Sequence, residues 1–145
     1  MRHAWQWQLL ALVRPPFVAL FLLVVNPALS DVSVSAEWYL LDGNDKAKVY
    51  VDRETINRTG DVVTVWVLDD LKTSHTRGFS SFFSVRAHEE HDCSKERFRL
   101  VDLEQFAGNM GTGDLIYKKS GKSGWSPIPR GTMAQSVWKF VCGKK

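Results

Sequence analysis

The stretch that most constrains this chain is its C-terminal run WSPIPRGTMAQSVWKFVC, residues 125–142. Pro127 and Pro129 hold the backbone extended, and Thr132 followed three residues later by Gln135 is the pairing that satisfies the orphan N–H groups at a helix start. From there, at about 100° per residue, Met133, Ala134, Val137, Trp138, Phe140, Val141 and Cys142 share one broad arc, with Gln135, Ser136 and Lys139 opposite. A helix that apolar must be buried against another element. Cys142 ends it, and the only other cysteine is Cys93. A disulfide from the helix to the middle of the chain is therefore expected.

The N-terminus bears on that expectation, because disulfides persist in oxidising compartments. Arg2, His3 and Arg14 form a positive leader, Phe17 to Val25 an apolar run, and Ala28-Leu29-Ser30 supplies small residues at a signal-peptidase spacing. Residues 1–30 read as a cleaved export signal, with Ala36 as a fallback cut site, and residues 31–145 as one domain. The apolar run falls well short of the roughly 20 residues needed to span a bilayer, so no membrane span is expected after cleavage. No cysteine lies near the cleavage region to carry a lipid. Removal of Arg2 and Arg14 lowers the formal charge from +3 to +1, too little for bulk nucleic-acid binding. A Cys93–Cys142 bridge closing about 49 residues contributes on the order of 4 kcal/mol in the chain-entropy model, and no CxxC spacing suggests a redox site.

Between signal and helix the chain alternates strands and turns. Glu37 to Leu41 is β-prone and ends in the turn chemistry of Asp42-Gly43-Asn44-Asp45; Lys46 to Asp52 alternates Ala47, Val49 and Val51 against Lys48 and Tyr50. After Gly60-Asp61, Val62 to Leu68 is apolar on both parities, as in a central strand. Phe79 to Cys93 opens with Phe79, Phe83 and Val85 on one parity and closes in the polar run His88 to Asp92, which should emerge at a solvated sheet edge or rim. Phe98 to Leu103, with Arg97 and Arg99 at its start, and Leu115 to Tyr117 complete the set around a Gly108–Asp114 turn. The expected fold is α+β: a single antiparallel sheet of about six strands in meander order with the C-terminal helix packed on it, or the same sheet curled into a small barrel plugged by the helix.

Few side chains gather in patterns that carry chemistry. His88-Glu89-Glu90-His91-Asp92-Cys93, with His75, has the donor types zinc prefers, but His88 and His91 on a strand point to opposite faces and an oxidised Cys93 is no ligand. The Gly121-Lys122-Ser123 and Gly108/Gly111/Gly113 runs fail as phosphate or dinucleotide loops in spacing and context. Asp69-Asp70 and Glu89-Glu90 send paired carboxylates to opposite faces, and no serine sits in a nucleophile elbow. No catalytic residue, metal ligand or cofactor is assigned. Arg86, Arg97, Arg99, Lys118, Lys119 and Lys122 form a candidate basic patch for an acidic partner or sulfated glycan.

The ordered set Val49-Tyr50-Val51-Asp52, Thr55-Ile56, Val65-Trp66-Val67-Leu68, Ser84-Val85-Arg86, Asp92-Cys93, Arg97-Phe98-Arg99, Met110-Gly111-Thr112-Gly113, Trp125-Ser126-Pro127 and Pro129 to Cys142 resembles the bacterial surface-adhesin protein E family. The resemblance spans essentially the whole mature chain. It implies a small exported antiparallel sheet on a C-terminal helix, a strand-to-helix disulfide, and binding of host extracellular-matrix and serum proteins such as laminin and vitronectin. Two departures stand out: the leader offers no cysteine for lipid attachment, and His88, Glu89 and His91 fall where the family pattern is more apolar. The expected activity is a non-enzymatic exported binding module, at the surface, secreted or in the periplasm. One helix covers one sheet face, so either Val63, Val65 and Val67 or Val62, Trp66 and Leu68 need another cover; a monomer whose sheet curls on itself into a barrel-like half is favoured over a homodimer packed sheet against sheet.

Overall fold

The computed structural model describes residues 36–144. The export signal expected over residues 1–30 and its cleavage after Ser30 lie outside them. Strands β1 (Trp38–Gly43), β2 (Ala47–Thr59), β3 (Val62–Arg77), β4 (Ser80–Asp92), β5 (Arg97–Phe106), β6 (Leu115–Ser120) and β7 (Ser126–Pro127) are followed by helix α1 (Met133–Cys142). Strands β1 to β6 pair antiparallel in chain order, and the two-residue β7 pairs with β5. The sheet is open, so the barrel alternative is not taken.

Helix α1 begins as its sequence dictates. Thr132 is extended and its Oγ1 accepts the Gln135 N–H, while Gln135 Oε1 accepts the Gly131 N–H at 2.9 Å. Gly143, at φ 64°, closes the helix in the left-handed conformation that glycine adopts without a Cβ clash. Val137 and Val141 of α1 pack against Val49, Val51, Val63, Val65 and Val67 of β2 and β3, and Trp138 is buried beside them on the helix. Three polar tethers fix the docking: Ser136 Oγ donates to Asp42 Oδ2 at 2.6 Å, Trp138 Nε1 donates to the Asp92 carbonyl at 3.1 Å, and Arg58 Nη2 donates to the Val141 carbonyl at 3.2 Å. The Cys93–Cys142 disulfide, with Cα atoms 5.5 Å apart, ties the helix end to the residue after β4.

The helix therefore takes the valine parity of β3, and Val65 is wholly buried. On the opposite parity only Leu68 is covered from within the chain, while Val62 and Trp66 stay half-buried. A single 3₁₀ turn, Asn109–Gly111, folds back over β3 and β4; Asn109 Nδ2 and the Met110 N–H donate to Asp70 Oδ1, and Ser84 Oγ accepts the Gly111 N–H. Leu68 is fully buried beneath it. A Cβ at Gly108 would stand 2.5 Å from Thr112 Oγ1, so this fold-back needs glycine there.

Two sequence expectations are corrected. Phe79 is not on the strand face: it sits fully exposed in the β3–β4 turn, and Phe82 is the phenylalanine that is buried. The polar run ending β4 is not a solvated rim either. β4 is paired on both sides, and Glu90, His91 and Asp92 are only 7%, 0% and 5% exposed. Polarity can be buried there because cross-strand partners neutralise it.

Candidate functional site

The helix-free face of the sheet is built from alternate residues of the strands that bury their other side chains under α1. Cross-strand register sets Trp38, Asp52, Trp66, His88 and Asp102 in one row across β1 to β5. The Trp66 and His88 rings stack, with centroids 5.0 Å apart, and His88 Nδ1 is 3.6 Å from Asp102 Oδ2.

Over β4 to β6 this face is a lattice of ion pairs. Arg86 donates to Glu104 Oε2 through Nε at 2.9 Å and Nη2 at 2.6 Å, and Lys118 reaches Glu104 Oε1 at 2.9 Å. Arg99 and Lys122 converge on Glu90 at 2.6 and 2.7 Å, and Arg97 holds Asp92 at 2.9 Å. Trp125 lies beneath two of these guanidinium groups, 4.6 Å from Arg97 and 4.4 Å from Arg99. Of the six residues that the sequence groups as a basic patch, the structure brings Arg86, Arg97, Arg99, Lys118 and Lys122 together, each bonded to a carboxylate. Lys119 sits opposite Leu103 in register, on the other parity, and forms no ion pair among the described residues.

The buried carboxylates titrate as this pairing requires. Burial alone would raise Glu90 and Glu104, but hydrogen bonds from Lys122 and Arg99, and from Lys118 and Arg86, outweigh it and hold both below the usual carboxylate range. Asp92 is lowered by the Ser94 hydroxyl first, against its burial, with Arg97 and the Ser94 and Lys95 N–H groups adding to the effect. Asp69, under the helix side, goes the other way: burial, then the charge of Glu89, pushes it up to about 7. His91 Nε2 lies 2.8 Å from Glu89 Oε2, which assigns that nitrogen the proton; Nδ1 has no hydrogen-bond partner among the described residues. No group of three or more His, Cys, Asp or Glu side chains is gathered to hold a metal ion among the described residues.

Toward β1 and β2 the face changes character. The β2–β3 register slips between Asp52 and Asn57, so Arg53 to Ile56 bulge out opposite Val65. Thr55 repairs the ladder: its Oγ1 accepts the Trp66 N–H at 3.0 Å and donates to the Asp52 carbonyl at 2.7 Å. The bulge leaves a hollow of about 460 Å³ lined by Ala36, Glu37, Trp38, Asp52, Glu54, Thr55, Trp66 and Arg86. Sequence reasoning missed this hollow. Its only trace in the chain is the polar run Asp52-Arg53-Glu54-Thr55 interrupting an apolar alternation.

These features define a disulfide-stapled sheet-and-helix domain with one sealed face and one open, charged and aromatic face. The chain belongs to the surface-adhesin protein E family, whose model matches residues 38–143. Solved structures of Haemophilus influenzae protein E share the fold: one crystal form aligns at TM-score 0.58 and 18% identity, covering 76% of this chain and 90% of that one. A second aligns at TM-score 0.56 and 18% identity, covering 76% and 86%. Protein E from non-typeable Haemophilus influenzae aligns at 0.55 and 18%, covering 77% and 79%. A comparison with curated proteins finds no match. Among the described residues no helix is long and apolar enough to cross a membrane.

Proposed function

We propose that this chain is an exported, non-enzymatic binding module that engages extracellular-matrix or serum proteins from the cell surface. The observation that carries this reading is the family match over nearly all of the described domain. The open sheet face supports it, because a half-buried set of tryptophan and arginine side chains within a polar surround is the composition of a protein-binding surface. The ion-paired Arg86, Arg97, Arg99, Lys118 and Lys122 form the polar part of that surface, with Lys119 on the far side of β6. The domain acts as a monomer on this reading, supported by the way its own Asn109–Gly111 turn buries Leu68.

A periplasmic interaction protein is the second reading. What favours it is the Cys93–Cys142 disulfide, a bond that forms and persists in the oxidising periplasm. Protease treatment of intact cells, followed by fractionation, separates the two. Surface display predicts digestion of the protein on intact cells; complete protection until the outer membrane is opened would overturn it.

A further inference from the structure

The helix-free face follows one rule over β4 to β6 and stops following it at β2. In the lattice, Glu90, Asp92 and Glu104 are each buried and each holds at least one cation. Its tryptophan, Trp125, carries two guanidinium groups. In the hollow by β1 and β2 a buried carboxylate recurs without an ion-paired cation; of its two indoles Trp66 has the Arg86 guanidinium 5.2 Å from its ring centroid, and Trp38 has no cation over it among the described residues. Asp52 is 6% exposed, as buried as the lattice acids, yet its side chain accepts only the Glu54 N–H, at 3.1 Å, and it forms no ion pair among the described residues. Glu37 and Glu54 line the same hollow and are likewise without an ion pair there. The one basic group in the lining, Arg86, is already held by both of its bonds to Glu104.

We propose that this hollow receives a lysine or arginine side chain presented by a partner protein. The inference rests on the binding-module reading and names the chemistry of the partner group. Three carboxylates against one committed guanidinium give the hollow a negative balance, and a buried carboxylate gains most from a charge-assisted hydrogen bond. Trp66 has His88 stacked on one ring face and meets the hollow from the β2 side, where Trp38 is its neighbour across Asp52 in register. With Arg86 already 5.2 Å from the Trp66 ring, it is Trp38 that offers a ring face to an incoming cation, attracted by the ring quadrupole within about 6 Å. The volume of about 460 Å³ accommodates a long basic side chain with part of its backbone. A neutral sugar could also stack on the tryptophans, but it would leave the three acids without a counter-charge. Charge complementarity therefore selects the cation.

The test is a titration of the mature domain, labelled with nitrogen-15, using the peptide Gly-Arg-Gly-Lys-Gly, with indole N–H signals assigned by single Trp→Phe variants. The Trp38 and Trp66 indoles should shift in a saturable way while Trp125, already covered by arginines, moves little. A control peptide with citrulline for arginine and acetyl-lysine for lysine should produce no shift. Asp52→Asn should weaken binding about tenfold or more, as expected for loss of one charge-assisted contact, and Glu54→Gln should weaken it by a smaller factor. Glu54 is exposed, so that variant decides the matter if Asp52→Asn does not fold. Equal binding of the neutral peptide, equal shifts at Trp125, an unchanged affinity in the foldable acid variants, or saturable shifts with a chitin oligosaccharide in place of the peptide would each overturn the proposal. Because the titration uses purified domain, its failure leaves surface display standing. Protection from protease on intact cells would remove surface display and leave this site standing.

Discussion

The two faces of one sheet solve the same problem in different ways. Beneath α1, Val49, Val51, Val63, Val65 and Val67 exclude water by packing, and a disulfide holds the cover in place. On the reverse of the sheet, over β4 and β5, burial is achieved with Glu90, Asp92 and Glu104, which tolerate it because arginines and lysines from adjoining strands and the loop after β6 meet them. Apolar packing is non-directional and contributes most of the stability, whereas the ionic lattice returns little net free energy, since desolvation cancels much of its attraction. What the lattice provides is a charged surface whose buried acids are each paired with a base. On the proposed reading, one face serves the fold and the other serves recognition.

That division is broken most severely at Val65. Val65→Asp places a carboxylate in the fully buried seam under α1 and should cost more than about 4 kcal/mol, abolishing the cooperative thermal transition in circular dichroism. A variant that melts normally would show that the valine seam is not the core. In light scattering the unmodified domain should run as a monomer, and a stable dimer that Val65→Asp converts into a folded monomer would contradict the helix seating.

Cys142→Ser comes next. Losing the bridge should lower the unfolding free energy by roughly 2 to 5 kcal/mol, with amide exchange rising first in α1. An unchanged melting temperature on reduction would show that apolar packing alone seats the helix.

On the lattice face, Glu90→Gln strands Arg99 and Lys122 and should cost about 1 to 3 kcal/mol in urea unfolding. The pH dependence has a definite sign. Glu90, Asp92 and Glu104 have lowered folded values, so their contribution is present above the ordinary carboxylate range and is lost as pH falls through those lowered values. Asp69 acts in reverse, being raised from 3.8 to about 7. Between those values the unfolded chain ionises Asp69 while the fold resists it, so stability falls as pH rises through that window. Asp69→Asn should therefore stabilise the domain at neutral pH, and the gain should vanish below about pH 4. A gain that persists in acid would locate the effect elsewhere. Smallest of all, Glu54→Gln at the hollow should change stability by no more than about 0.5 kcal/mol, since it is exposed and its side chain supports nothing in the fold.

How much of this the sequence discloses follows the same division. The helix, its cap at Thr132, its bridge from Cys142 to Cys93 and the meander are all legible, because periodicity and turn chemistry act within a few residues of one another. The fate of His88 to Asp92 was not. Whether a polar run is a wet rim or a buried lattice depends on Arg97 and Arg99 arriving from β5 and Lys122 from the loop after β6, and strand register sets that. The hollow was hidden for a related reason: a register slip between Asp52 and Asn57 leaves only a short polar interruption in the chain. Phe79 shows the limit of parity arguments at a strand end, where the turn at Gly78 lifts it out of the alternation.

The central claim, that recognition belongs to the helix-free face, is tested most directly by hydrogen–deuterium exchange of the mature domain with and without laminin or vitronectin, the partner classes of the proposed function. The account predicts slowed exchange in β1 and in the Arg53 to Ile56 bulge, with Gln135 to Lys139 of α1 unchanged. Protection confined to the outer surface of α1, with β1 and the bulge unaffected in a complex that demonstrably forms, would contradict it.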